Sequence, residues 1–357
     1  MPKPNAPIRR NTLGDISVLH VDVLARAVQH QGCDPAPLLA QFNLSPAILA
    51  STDARISIPR FMRLGHAAIE HSGNPNLGLV MGALSRPVDA GRAGLAGAAA
   101  ATASDALATL IRFALLTSRN SRGQPSMTRA PDQARFYSIR PYNRFNFFVV
   151  DSVLATWVQF LRTVSGQQQV AEEVWIEYPS QGQEAAFEAW FGCPVHFGAP
   201  ENRLQLNSQM ADTRCQDAQA AVHQLLVEEC SQDLKRRQAG WSLGERIKEK
   251  LAAQLAERPP ELAAMAAEFG LTPWTLQRHL AAEGRGYREL LDDTRKDLAQ
   301  DYLAETSLSF AEISWLLGFA NPAAFHKAYR RWFGISPGQH RRVLKGATET
   351  YSSMGSP

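Results

Sequence analysis

Six basic side chains, Lys327, Arg330, Arg331, Arg341, Arg342 and Lys345, lie between Ile313 and Thr348, and no Asp or Glu lies among them. Cations at this density without acids beside them make a phosphate-facing stripe rather than a balanced solvated face. Two further places have marked chemistry. Thr272-Pro273 and Asn321-Pro322 each join an N-capping side chain to a proline suited to the first helical position, so each marks a helix start set by capping. Covalent and metal chemistry find less support. Cys33, Cys193, Cys215 and Cys230 are scattered with no CxxC pair, which favours reduced, mostly buried thiols over a zinc site or a disulfide framework. The nine histidines show no H-x-x-x-H spacing, and His20, His30, His66 and His71 fall on helical patterns. No Ser or Cys has an obvious acid–base partner.

The elements that position the basic stripe form a degenerate repeat. Ala264 to Leu276 overlays Glu312 to Phe325: a short apolar helix, a turn at Gly270 or Gly318, then a cap and proline opening a second helix. The later half has one extra residue in its turn. This is the helix-turn-helix plan, in which the second helix enters the DNA major groove by its N-terminal end. Between the halves, Tyr287 to Leu303 has Leu290, Leu291, Leu298, Ala299 and Leu303 on one side and no internal Gly or Pro. As a helix it would span about 25 Å, a strut able to hold two recognition helices roughly one DNA turn, about 34 Å, apart.

The chain has 357 residues, of which 45% are hydrophobic and 20% charged, values of an ordinary globular protein long enough for two domains. The net charge of +3 is too slight to imply a polyanion partner by itself, so the local stripe carries that argument. Neither a signal nor a transit peptide is apparent at the N-terminus, and the apolar stretch from Ala93 to Leu116 is interrupted by Asp105 and Arg112, so a cytoplasmic protein without a membrane role is expected. Helices are expected over Val18–Gln31, from Asp34-Pro35, over Ile58–His71, Ser104–Leu116 and Asn146–Val164. Strands are expected over Ala134–Arg140, Val174–Tyr178, Val195–Phe197 and Leu204–Leu206. The division predicted is a flexible tail over 1–17, an α+β domain over 18–210, a linker helix over 211–240, an all-α double helix-turn-helix domain over 241–345 and a flexible tail over 346–357.

Residues Trp241 to Leu344 resemble the DNA-binding domain of the AraC/XylS family of bacterial transcription regulators. The resemblance rests on Leu276-Gln277-Arg278, Leu290-Leu291 with Arg295 and Ala299, Glu312-Ile313, Leu317-Gly318-Phe319, Phe325, and Trp332 to Pro337 with Arg341. It implies that Pro273, Trp274, Gln277 and Arg278 face DNA from the first recognition helix. Gln277 would meet adenine or phosphate, Arg278 guanine or phosphate, and Trp274 a thymine methyl or sugar. Leu276 and Leu280, four apart, point into the core instead. From the second helix it implies Asn321, Pro322, Ala323, His326, Lys327 and Arg331, followed by Arg341. Here Lys327 replaces the more frequent Arg and His340 replaces an aromatic. Ala323 and Ala324 cannot hydrogen-bond through their side chains, so phosphate contact through Lys327 and Arg331 is expected more than base reading.

Residues 18 to about 210 resemble the arabinose-binding type of N-terminal domain found in one branch of that family. The carriers are Asp53 to Pro59, Asn76-Leu77-Gly78-Leu79 with Gly82, and Phe191 to Gly198. The resemblance implies a domain that senses a small metabolite, with no sugar specified. Arg119, Arg140, Tyr142, Arg144 and Trp157 surround the change from helix to strand and are candidates to line its pocket. The expectation is therefore a regulator that binds promoter DNA under control of a small-molecule effector. A homodimer is expected too, with RNA polymerase as a further partner if it activates, and no cofactor or metal. Two rivals are an architectural DNA-binding protein without an effector and an alkyl-repair methyltransferase, the latter suggested by Cys193-Pro194-Val195-His196.

Overall fold

The computed structural model describes residues 13–51, 53–238, 242–255, 259–306 and 308–343. The tail 346–357, Lys345 and the expected boundary at 240–241 lie outside them. Contacts divide the chain into one unit running from Asp15 to the end of the tenth helix and another from the eleventh onward.

The first unit opens on β1 (Gly14–Ser17), so these residues of the expected flexible tail are strand. They pair antiparallel with β2 (Arg55–Ser57) in the register Asp15 to Ser57 and Ile16 to Ile56. Each strand ends on a serine that caps the helix after it. Ser17 Oγ accepts from the N–H of Leu19 at the start of α1 (Val18–His30), and Ser57 Oγ from that of Arg60 in α4 (Ile58–Ser72). Between them lie α2 (Ala36–Gln41) and α3 (Pro46–Leu49). Asp34 does supply the cap of α2, its carboxylate accepting from Ala36 N–H at 2.9 Å, although Pro35 stands at the cap position itself.

Two helices rich in Gly and Ala, α5 (Leu77–Ala83) and α6 (Gly91–Ala98), escape an amphipathic pattern search because glycine contributes so little apolar contrast. The reason for glycine in α5 is close packing. A Cβ on Gly78 would lie 2.7 Å from the Asp151 Cβ, and one on Gly82 would collide with Ala155. The Asn76 to Gly82 motif thus lets α5 press on α8 (Phe147–Ser165), the central helix of the unit. This helix is long and apolar enough to cross a membrane, unlike 93–116, which is split between α6 and α7 (Ala103–Arg112), but its apolar residues are buried in this unit's core. After β3 (Ser118–Asn120), which joins β1 and β2, the second sheet has the order β4 (Ser126–Thr128), β5 (Gln133–Phe136), β8 (Asn202–Leu206), β6 (Ala171–Ile176), β7 (Val195–Phe197). The β6–β7 pair is parallel, with α9 (Glu184–Phe191) as its crossover, and the other pairings are antiparallel.

The helix expected to lead out of this domain, α10 (Ala220–Gln238), packs back on it instead. Cys230 is fully buried with Ala93 and Phe113, with Val227 and Leu234 beside them, and Arg92 pairs with Asp233. A helix with polar residues on most faces looks like a linker in sequence, yet one apolar seam is enough to dock it.

The second unit comprises α11 (Leu243–Gln254), α12 (Leu262–Glu268), α13 (Pro273–Ala282), α14 (Tyr287–Glu305), α15 (Phe310–Leu316) and α16 (Pro322–Phe333). Its first half is built on Ile247, Leu251, Met265, Leu276, Leu280 and Leu290. Its second half is built on Ile313, Leu317, Phe325 and Tyr329, all fully buried, and α14 runs through both.

Candidate nucleic-acid interface and ligand cavities

The two recognition helices start as their sequences require. Thr272 Oγ1 accepts from Thr275 N–H at 3.2 Å and Asn321 Oδ1 from Ala324 N–H at 2.9 Å, each with proline at the first helical position. Pairs α12–α13 and α15–α16 are the two helix-turn-helix units, and Gly270 and Gly318 turn them at φ values of +65° and +66°. At Gly318 a Cβ would also lie 2.5 Å from the Leu255 carbonyl oxygen. The strut α14 has 19 residues, about 28 Å at 1.5 Å per residue.

On α13, Leu276 and Leu280 are buried while Pro273, Trp274, Gln277 and Arg278 are exposed. Trp274 is 65% exposed, an unusual position for an indole, and the Arg278 guanidinium lies 4.9 Å from the centre of its ring. This cation–π contact holds the guanidinium beside the indole, and no carboxylate neutralises it among the described residues. Aromatic face, amide and guanidinium therefore form one solvent-facing set.

On α16 the arrangement differs. Pro322 and Ala323 are exposed, but His326 is half-buried with its ring edge-on to Phe310 at 5.5 Å. Lys327 and Arg330 are exposed and have no carboxylate partner among the described residues. Arg331, expected at a phosphate, gives two hydrogen bonds to Asp292 on α14, at 2.7 and 3.0 Å, and Trp332 Nε1 donates to the same carboxylate at 2.9 Å. Arg341 departs further from its expected role. It donates to the Leu308 carbonyl at 2.6 Å and lies over the Phe310 ring at 4.6 Å, and burial lowers its pKa. Its geometry is that of a clamp on the start of α15. Arg295 acts similarly on the turn after α15, donating to the Leu317 and Gly318 carbonyls at 2.9 and 3.1 Å. His340 takes an aromatic's place, between Tyr329 and Phe333, with the Tyr329 hydroxyl 2.7 Å from Nδ1.

Arg330 belongs to the basic stripe read from the sequence, whereas Asp292, whose pairing with Arg331 spans 39 residues, has no sequence signal.

The five candidates for an effector pocket do not line one cavity, although Arg140 and Tyr142 meet at Glu177. Arg119 pairs with Asp15 at 3.3 Å, beside Arg55, inside the β1–β2 region. Arg140 and Tyr142 both bond Glu177, which Arg122 also holds through two hydrogen bonds at 2.6 and 2.7 Å. Burial opposes ionisation of Glu177, yet these bonds keep its carboxyl below the ordinary carboxylate range. That network is internally satisfied. Trp157 lines a narrow cavity of about 100 Å³ with His20, Phe61, Gln124 and Phe136. There, burial beside Arg55 depresses His20 to about 4, and neither His20 Nε2 nor Gln124 Nε2 has a hydrogen-bond partner among the described residues. Arg144 lines a different cavity, of about 230 Å³, whose walls include Phe147, Phe148, Tyr178 and Phe197 and whose lining includes the buried acid Asp151. Burial pushes that carboxyl up to about 7, with the Tyr178 hydroxyl as its donor. Its sequence signal was a lone acid inside an apolar helix. Among the described residues no three His, Cys, Asp or Glu side chains gather as for a metal. Cys193, half-buried, is pushed up to about 11 by burial, which disfavours the thiolate a transfer reaction needs.

Comparison with known proteins follows the same division. The family model described as the arabinose-binding domain of AraC transcription regulator, N-terminal, matches residues 32–215, and a helix-turn-helix domain model matches 265–343. The ornithine utilization regulator of Pseudomonas aeruginosa is 26% identical over 328 residues, covering 92% of this chain and 96% of its own. The helix-turn-helix transcriptional regulator VirS of Mycobacterium tuberculosis is 27% identical over 312 residues, covering 87% and 91%. Among solved structures, the transcriptional regulator CdpR of Pseudomonas aeruginosa aligns over 89% of this chain and 97% of its own at 22% identity, with a TM-score of 0.42.

Proposed function

The chain belongs to the AraC family of transcription regulators with an arabinose-binding-type N-terminal domain, and on that premise we propose that it reads promoter DNA chiefly through α13 and anchors itself to phosphate through α16. The observation that carries this reading is the solvent-facing set Trp274, Gln277 and Arg278 at the capped start of α13. Gln and Arg are the side chains whose paired donors and acceptors fit adenine and guanine edges in the major groove. Lys327 and Arg330 add charge without base information. The first unit senses a small-molecule effector in the cytoplasm and biases the binding of DNA. A homodimer would duplicate the half-sites and raise discrimination, and Leu225, 60% exposed on α10, offers apolar surface for it. An activator of this design would also contact RNA polymerase.

The test is selection of binding sites from random DNA by the full-length protein, followed by affinity measurement across salt concentrations. A defined motif bound with a steep salt dependence supports the reading. Equal affinity for all sequences would favour the architectural alternative and remove specific recognition.

A further inference from the structure

Two buried carboxylates in the first unit have opposite surroundings. Glu177 faces Arg122 and Arg140, so its charge is compensated within the protein. Asp151, 4% exposed, has the Tyr178 hydroxyl and no Lys or Arg partner among the described residues. A tyrosine hydroxyl needs only an acceptor, which an amide or carbonyl supplies without the cost of burying an ionisable group. An acid at this place is therefore more than its hydrogen bond requires. Gly78 on α5 lies against it with room for no side chain, so the acid is held by close backbone packing.

The cavity that Asp151 lines supplies the second half of the argument. Phe147 and Tyr178 have ring centres 4.5 Å apart, Tyr178 and Phe197 5.7 Å, and Phe187 meets Phe197 edge-on at 5.3 Å. Aromatic faces attract organic cations, and an acid beside them completes a site for an ammonium group. Arg144 and Gln181 also line the cavity but are exposed, which places them at its rim. A guanidinium and an amide there complement a carboxylate.

We propose that this cavity binds a small amino acid, its ammonium group against Asp151 and the aromatic rings, its carboxylate at Arg144. The assignment deepens the effector-sensing reading and depends on it only for its regulatory meaning.

Calorimetric titration of the full-length protein without DNA uses three five-carbon probes: 5-aminopentanoate, pentylamine and pentanoate. The expected order is 5-aminopentanoate tightest, pentylamine weaker and pentanoate undetectable. Asp151→Asn, which preserves size and a hydrogen-bond acceptor, should weaken both amines at least tenfold. Arg144→Gln should bring 5-aminopentanoate down to the level of pentylamine and leave pentylamine unchanged. Pentanoate binding as tightly as the amines, no amine binding at millimolar concentration, or unaltered amine affinity in a folded Asp151→Asn protein would each overturn the assignment. The wild-type comparison needs no variant to fold. DNA affinity is then measured with and without 5-aminopentanoate. Ligand binding that leaves DNA affinity unchanged sinks the effector reading while the cavity assignment stands.

Discussion

In α13, a capping threonine and a first-position proline lead into Trp274, Gln277 and Arg278, all facing solvent. In α16 the same opening leads into Ala323 and Ala324, then His326 on Phe310 and Arg331 on Asp292. The caps, the turn glycines and the buried hydrophobic positions correspond between the halves, so a shared backbone plan carries two different surfaces. What separates them is how the polar side chains are occupied. The first helix keeps its guanidinium beside an indole, and the second uses one of its arginines to tie α16 to the strut. A duplicated motif need not imply duplicated reading.

The largest effect that would sharpen this contrast concerns stability. Phe325 is fully buried between the rings of Phe319 and Tyr329, so Phe325→Ala should cost about 3–5 kcal/mol, seen as a lowered unfolding midpoint in denaturant. A loss below about 1 kcal/mol would mean that α16 has no real core behind it.

Base reading comes next. Arg278→Ala should lose about 1–3 kcal/mol on the preferred sequence and relax preference at one position, measured by site selection with the variant. A uniform loss on all sequences would break the comparison, because it would make α13 another phosphate anchor.

Lys327→Ala tests the opposite assignment. It should weaken all sequences alike and reduce the slope of log affinity against log salt by about one unit. Loss of a base preference here would move reading to α16.

The smallest effect is a gain. Asp292→Asn removes the charge that neutralises Arg331 but keeps an acceptor for Trp332, so DNA affinity at low salt should rise a few-fold and the salt slope should steepen by up to about one unit. If neither changes, Arg331 lies too far from the backbone to matter and the pairing is structural alone.

Much of this was open to a reader of the sequence. Thr272, Asn321, Pro273 and Pro322 act through bonds within three or four residues, so their roles follow from local chemistry. Leu276 and Leu280 repeat at helical spacing, and their burial follows from it. The helices α5 and α6 were hidden because their glycines serve contacts with elements distant in sequence, such as Gly78 against Asp151. The five proposed pocket residues illustrate the same limit. Their types suited a ligand, but Arg119, Arg140 and Tyr142 find acids within the protein, while Asp151, a buried acid with no arginine partner among the described residues, has no sequence signal beyond its place in an apolar helix.

By itself the sequence determined where the two recognition helices start, the paired helix-turn-helix units, the strut between them and the family, because each depends on near-neighbour hydrogen bonding and on hydrophobic spacing. Tertiary structure alone decided which charges remain available. An arginine offers the same guanidinium whether it stacks on Trp274, pairs with Asp292 or clamps the Leu308 carbonyl. Only the fold brings those partners within a few ångströms, and electrostatic attraction and desolvation act over just that range.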